Sequence, residues 1–153
     1  IWGVEVDLFD KNHVPVAVGE VGELVIRGHN VMKGYYNKPD ATAEAFAGTS
    51  WFHTGDLGKK DEDGYFYIVD RVKDMIVSGG ENVYPAEIES VLYQLPEVAE
   101  AAIIGVPNDK WGEVGLAVVA LKPGASLDRA TVIEHCVSRL AKFKIPNDIA
   151  IIG

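Results

Sequence analysis

The sequence predicts an α+β protein in two pieces, a strand-rich first region followed by a region in which helices alternate with strands. Apolar residues alternate at the start, Trp2, Val4, Val6 and Leu8, as in a strand with one buried face. In the second half, Ile88, Val91, Leu92 and Leu95 recur at helical spacing between valine-rich runs. Between them lies a charged, glycine-punctuated stretch, Asp70 to Gly80, where a new unit is expected to start.

The first strand ends in a turn at Asp10 to Asn12, and a second strand, Glu20 to Gly28, carries Leu24, Val25 and Ile26 between glycines. Val31 to Tyr36 reads as irregular, aromatic structure. Asp40 or Thr42 is expected to cap a short helix through Phe46. Trp51-Phe52-His53 leads into a glycine-flanked acid, Thr54-Gly55-Asp56-Leu57, read as a loop. Asp61 to Gly64 then forms a tight turn before a strand from Tyr65 to Val69.

In the second region, Met75 to Val77 form a short strand, Gly79-Gly80 permits backbone angles other residues resist, and Pro85 suits the first turn of a helix ended by Pro96. Val98 to Val106 and Gly115 to Leu121 read as strands joined by the turn Pro107 to Lys110. Asp128 caps the next helix, with Val132, Ile133, Cys136, Val137 and Leu140 at helical spacing. A last strand covers Ile149 to Ile152.

Composition excludes several classes. Of the 153 residues, 48% are hydrophobic and 24% charged, the balance of a water-soluble globular chain, and no apolar run approaches the roughly 20 residues of a membrane-spanning helix. A formal charge of -9 argues against a general binder of nucleic acid or anionic membrane, although Arg139, Lys142 and Lys144 leave one cationic edge. The single cysteine, Cys136, reads as a buried structural thiol and suits a reducing, cytoplasmic setting. His13 and His29 lie too far from each other and from any clustered acid to suggest a metal site, and His53 has no Ser or Cys beside it to serve in catalysis. The start at Ile1-Trp2-Gly3 and the end at Gly153 both read as cuts through a longer polypeptide.

Asp70-Arg71-Val72-Lys73-Asp74, then Ser78-Gly79-Gly80-Glu81-Asn82 and Pro85-Ala86-Glu87-Ile88-Glu89, together with Thr54-Gly55-Asp56-Leu57, resemble the adenylate-forming enzyme superfamily. That superfamily includes acyl-CoA synthetases, peptide-synthetase adenylation domains and luciferases. The resemblance covers essentially the whole chain and implies residues 1–70 as the end of a large N-terminal domain and 71–153 as a small mobile lid, each incomplete. Gly22 to Gly28 and Gly34 to Asn37 resemble the end of the large domain, with Arg27 and Tyr36 supporting packing.

On residue chemistry alone Asp56 is a turn former, and the resemblance implies instead a ribose-binding carboxylate. Arg71 reads either as a salt-bridge partner of Asp70 or Asp74 or, by resemblance, as a nucleotide contact. Lys73 matches the hinge position, where backbone torsions change between two reactions. Ser78, Gly79 and Gly80 match the loop lining the pantetheine tunnel, and Trp111, Phe143 and Lys144 are candidate contacts for the CoA nucleotide. Trp111 equally reads as a packing residue, and Glu87 and Glu89 as helix-start carboxylates meeting the dipole.

The resemblance implies ATP, magnesium, CoA and a small-molecule carboxylic acid as the ligands of an AMP-forming acyl-CoA ligase. No residue of this chain is assigned a role in bond making, because the phosphate loop and the adenylation lysine are expected outside residues 1–153, so the chain alone is expected to be inactive. Competing readings are a peptide-synthetase domain loading a carrier protein and a non-catalytic nucleotide-binding module.

Overall fold

The computed structural model describes residues 2–152. They group into two compact units, Ile1–Lys73 and Asp74–Gly153. The division falls after Lys73 rather than after Asp70, because the strand expected to stop at Val69 continues through Arg71, which pairs with Asp56 in the preceding strand.

The first unit is an antiparallel sheet of β1 (Val4–Phe9), β2 (Val21–Gly28), β3 (Phe52–Lys60) and β4 (Phe66–Arg71), in that spatial order. Trp2 lies before β1 and is 97% exposed, so the expected alternating face reaches the core only at Leu8. Leu8, Phe9, Val25 and Leu57 are buried. Asp10 closes the first turn by accepting the backbone N–H of Asn12 and of Val14.

The helix α1 (Pro39–Phe46) is entered through Lys38 with no side-chain cap. Neither Asp40 nor Thr42 caps it. Pro39 presets the first turn, and the Thr42 hydroxyl instead donates to the Lys38 carbonyl and accepts the Tyr35 N–H. The segment expected as a loop around Asp56 lies within β3, whose irregularity is described below.

In the second unit a hairpin of β5 (Ile76–Ser78) and β6 (Glu81–Val83) is followed by α2 (Pro85–Leu92), β7 (Val98–Asn108), β8 (Gly112–Leu121), α3 (Arg129–Val137) and β9 (Asp148–Ile152). The strand β6 was absent from the sequence expectation. Gly79 and Gly80 occupy the two-residue hairpin loop with φ of +60° and +89°, the requirement of a type I′ turn that matches strand twist. β7 and β8 form a ladder from Val98 to Asn108, longer than expected, so Pro107 is in a strand rather than a turn. The Asn108 side-chain oxygen accepts the N–H groups of Lys110 and Trp111 and closes that reversal. β9 runs parallel to the far part of β8, and β5 touches β8 at Ser78 and Gly112.

The two helices and the sheet enclose one core containing Ile76, Ile88, Leu92, Val119, Val132 and Cys136. α2 stops at Leu92, before Pro96, and its last turn tightens through Leu95 N–H to Leu92 C=O, which still buries Leu95. The Asp128 carboxylate accepts the Thr131 N–H at 2.8 Å as the expected cap of α3, and that bond holds its carboxyl below the usual range. Val132, Cys136 and Leu140 are buried, whereas Val137, expected on that face, is 56% exposed. Burial pushes the Cys136 thiol up, away from thiolate chemistry.

Candidate functional site

Each unit carries one constellation built from residues singled out in the sequence. In the first, β2 and β3 lose register between Glu23 and Val25: Glu23 faces Leu57 and Val25 faces His53, so Leu24 alone stands against Thr54, Gly55 and Asp56. The result is a bulge, a device that re-aims side chains at the edge of a ladder. Gly55 adopts a φ of +78°, which β-carbon-bearing residues resist, while no atom lies near enough to forbid a side chain on steric grounds.

The bulge is tied at several points. The Thr54 hydroxyl donates to the Leu24 carbonyl at 2.8 Å and accepts the Asp56 N–H at 3.1 Å. Gly55 N–H donates to Glu23 Oε1 at 3.0 Å, and the Gly55 carbonyl accepts the Val72 N–H at 2.9 Å. Glu23 Oε2 lies 2.7 Å from His53 Nδ1, and the His53 side chain is only 9% exposed.

Asp56 is thereby set directly opposite Arg71, with Arg71 Nε 3.8 Å from Asp56 Oδ1 and both side chains well exposed. At that separation and exposure the ion pair contributes little to stability. It leaves a carboxylate with acceptor capacity for two hydroxyl groups beside a planar cation with several free donors. Arg71 and Gly55 also line an open concavity of about 670 Å³, together with Lys38, His53 and Lys73. Its lining mixes charges: the cations Lys38, Arg71 and Lys73 share it with the carboxylates Glu23 and Glu44. Lys73 itself is exposed and stands in a turn.

In the second unit Ser78, Gly79, Trp111 and Phe143 come together in a groove of about 530 Å³ that also includes Lys142 and Glu81. Gly79 N–H donates to the Trp111 carbonyl at 2.8 Å. A β-carbon on Gly79 would sit 2.8 Å from Trp111 Cε3, so the indole already occupies the space this glycine leaves. Trp111 and Phe143 are nonetheless 47% and 44% exposed, and the Lys110 ammonium lies 4.6 Å from the indole centroid. Gly80 turns the hairpin. Lys144 is held away by Glu87, whose carboxylate accepts its ammonium at 2.7 and 2.8 Å.

The scaffold acids behave as structural groups: besides Glu87, Glu89 accepts the backbone N–H of Ile103 at 3.0 Å. Arg27 pairs with Glu5 and covers the Trp51 ring, but Tyr36, expected to pack, is 90% exposed. Among the described residues no group of three or more His, Cys, Asp or Glu side chains is placed to hold a metal ion. No helix among them is long and apolar enough to cross a membrane.

Residues 87–153 match the family described as the AMP-binding enzyme C-terminal domain. The chain is 53% identical over 139 residues to a 2-succinylbenzoate–CoA ligase of Geobacillus kaustophilus, an alignment covering 91% of this chain and 28% of the ligase. The chain belongs to the adenylate-forming superfamily. A feruloyl-CoA synthase of Amycolatopsis is 50% identical over 145 residues, covering 95% of this chain and 29% of the synthase. Among solved structures, the o-succinylbenzoate CoA synthetase of Bacillus subtilis, in complex with the acyl-adenylate intermediate OSB-AMP, superposes with a TM-score of 0.91 at 39% identity. That match covers 99% of this chain and 31% of the synthetase. The chain thus spans less than a third of the length of the curated relatives described here.

Within this chain, sequence reasoning singled out Asp56, Arg71, Gly79, Trp111 and Phe143 but passed over Glu23 and His53. The available signal was an acid in an apolar strand run, Gly22-Glu23-Leu24-Val25-Ile26, which is costly unless the carboxylate finds donors.

Proposed function

We propose that this chain forms the C-terminal part of an AMP-forming acid–thiol ligase, with residues up to the 70s completing a large N-terminal domain and the following unit acting as its mobile lid. The observation that carries this reading is the bulge presenting Asp56 opposite Arg71, immediately ahead of an exposed Lys73 where the compact units divide.

Asp56 accepts the two ribose hydroxyls of ATP, and Arg71 donates to ribose or phosphate oxygens. A substrate carboxylate attacks the α-phosphorus, pyrophosphate departs with the bonding electron pair, and the nucleotide stays anchored as acyl-adenylate. The lid then turns about Lys73 and presents the groove of Ser78, Gly79, Trp111 and Phe143 to CoA. The thiolate attacks the acyl carbon and AMP leaves. Trp111 and Phe143 offer half-exposed aromatic faces for the CoA nucleotide. Magnesium would balance the phosphate charge in such chemistry. Lys144, ion-paired with Glu87, is a further candidate contact for the CoA nucleotide.

The test is mass spectrometry of the products made by the whole ligase from ATP, free CoA and a panel of aromatic and fatty acids. Acyl-CoA and AMP in equal amounts are expected, and none from residues 1–153 alone. Loading of a carrier protein's pantetheine with no acyl-CoA would contradict the ligase and favour a peptide-synthetase domain. Submicromolar ATP binding by the isolated chain would favour a nucleotide-binding module.

A further inference from the structure

We propose that Glu23 and His53 form a positioning pair that shapes the Asp56 bulge and thereby sets nucleotide affinity; this rests on the nucleotide reading above. Glu23 is the last residue of β2 in register before the bulge, and its one carboxylate spans the irregularity. Oε1 accepts the N–H of Gly55 at the apex, and Oε2 meets Nδ1 of His53, the last β3 residue before it.

A backbone N–H displaced from a strand ladder needs another acceptor, and Gly55, at φ +78°, finds it in this side chain. The pair is sheltered: the Glu23 and His53 side chains are 24% and 9% exposed. Hydrogen bonds to an ionised acceptor are strongest in such surroundings. A carboxylate only accepts, so the proton between the pair belongs to His53 Nδ1. His53 Nε2 is buried and has no hydrogen-bond partner among the described residues, so Glu23 alone orients the ring through a hydrogen bond. The chain Glu23, Gly55, Asp56 links a sheltered carboxylate to an exposed one on the residue that follows the N–H it holds. Neither Glu23 nor His53 touches the reacting atoms in this scheme.

Glu23→Gln separates positioning from simple folding. Its amide oxygen still accepts from Gly55 and its NH₂ group donates to Nδ1, which moves the histidine proton to Nε2. Glu23→Ala loses both contacts. In the 153-residue chain, Glu23→Ala is expected to speed Gly55 amide exchange at least tenfold, whereas Glu23→Gln keeps Gly55 protected and inverts the His53 imidazole ¹⁵N pattern. In the whole ligase, Glu23→Ala is expected to raise the ATP KM about tenfold with kcat within about threefold, and Glu23→Gln to restore the KM.

Unchanged Gly55 exchange in Glu23→Ala, an equal rise in KM in Glu23→Gln, or a fall in kcat at constant KM would each overturn the inference. Asp56→Ala is the control. If it changes ATP KM and Glu23→Ala does not, the positioning role alone fails; if Asp56→Ala leaves ATP KM unchanged, the nucleotide reading beneath it fails.

Discussion

Replacing Asp56 by alanine is expected to raise the ATP KM of the whole ligase on the order of 10- to 100-fold, because two hydrogen bonds to an ionised acceptor are lost with no substitute nearby. Both half-reactions should suffer, since the same ribose is held while ATP becomes acyl-adenylate and while CoA displaces AMP. Stability should barely change. The carboxylate is exposed, its separation of 3.8 Å from Arg71 contributes little, and the bulge is held by Thr54, Gly55 and Glu23 rather than by the Asp56 side chain. Asp56→Asn retains an acceptor oxygen and is expected to lie between alanine and the parent. Steady-state kinetics in ATP, run beside a urea melt, separate these statements: an unchanged KM removes Asp56 from the nucleotide site, and a large loss of stability makes it a fold residue.

Gly79→Val should be the most damaging single change in the second unit. A valine there meets the Trp111 ring, with the β-carbon alone 2.8 Å from Cε3, and must adopt a φ of +60°, which β-branched residues resist. Left-handed backbone and overpacking together cost about 2 to 4 kcal/mol. The indole must move, so CoA use should fall along with stability. A cycle with Trp111→Ala apportions the loss: removing the indole relieves the steric part and leaves the backbone part, so the two changes together should cost less than their sum. Strict additivity would show that the Gly79–Trp111 contact does not limit this position. Gly79 therefore has a structural reason to be glycine before any pantetheine arm approaches it.

Much of the second unit was legible because its signals are local. Ile88, Val91 and Leu92 share a helical face and are buried, as is Leu95 in the turn that follows, and Asp128 caps α3 where a short polar acceptor precedes good helix residues. Val137 failed the same pattern, since apolar spacing gives a helical stripe its direction but not its width. The first unit was harder to read. Thr54-Gly55-Asp56 has the composition of a loop, and only the Thr54 hydroxyl bond to the Leu24 carbonyl on one side and the pairing of Asp56 with Arg71 on the other hold it within a strand. Composition cannot report a partner some thirty residues away in sequence. The same holds for the ion pair of Lys144 with Glu87, 57 residues earlier, which composition does not show. Glu23 and His53 were passed over for this reason: each looks idle until the fold brings them together.

The central claim is that one nucleotide site serves two reactions by turning a lid about Lys73. Its most direct test is to measure both half-reactions of the Lys73→Pro ligase, adenylation by ATP–pyrophosphate exchange and thioester formation by single turnover of preformed acyl-adenylate with CoA. Proline fixes its own φ and restricts Val72, while the Asp56 and Arg71 side chains are untouched. Exchange within about threefold of the parent and thioester formation slowed at least tenfold are the predicted outcome. Equal losses in both steps, or none in either, would contradict it.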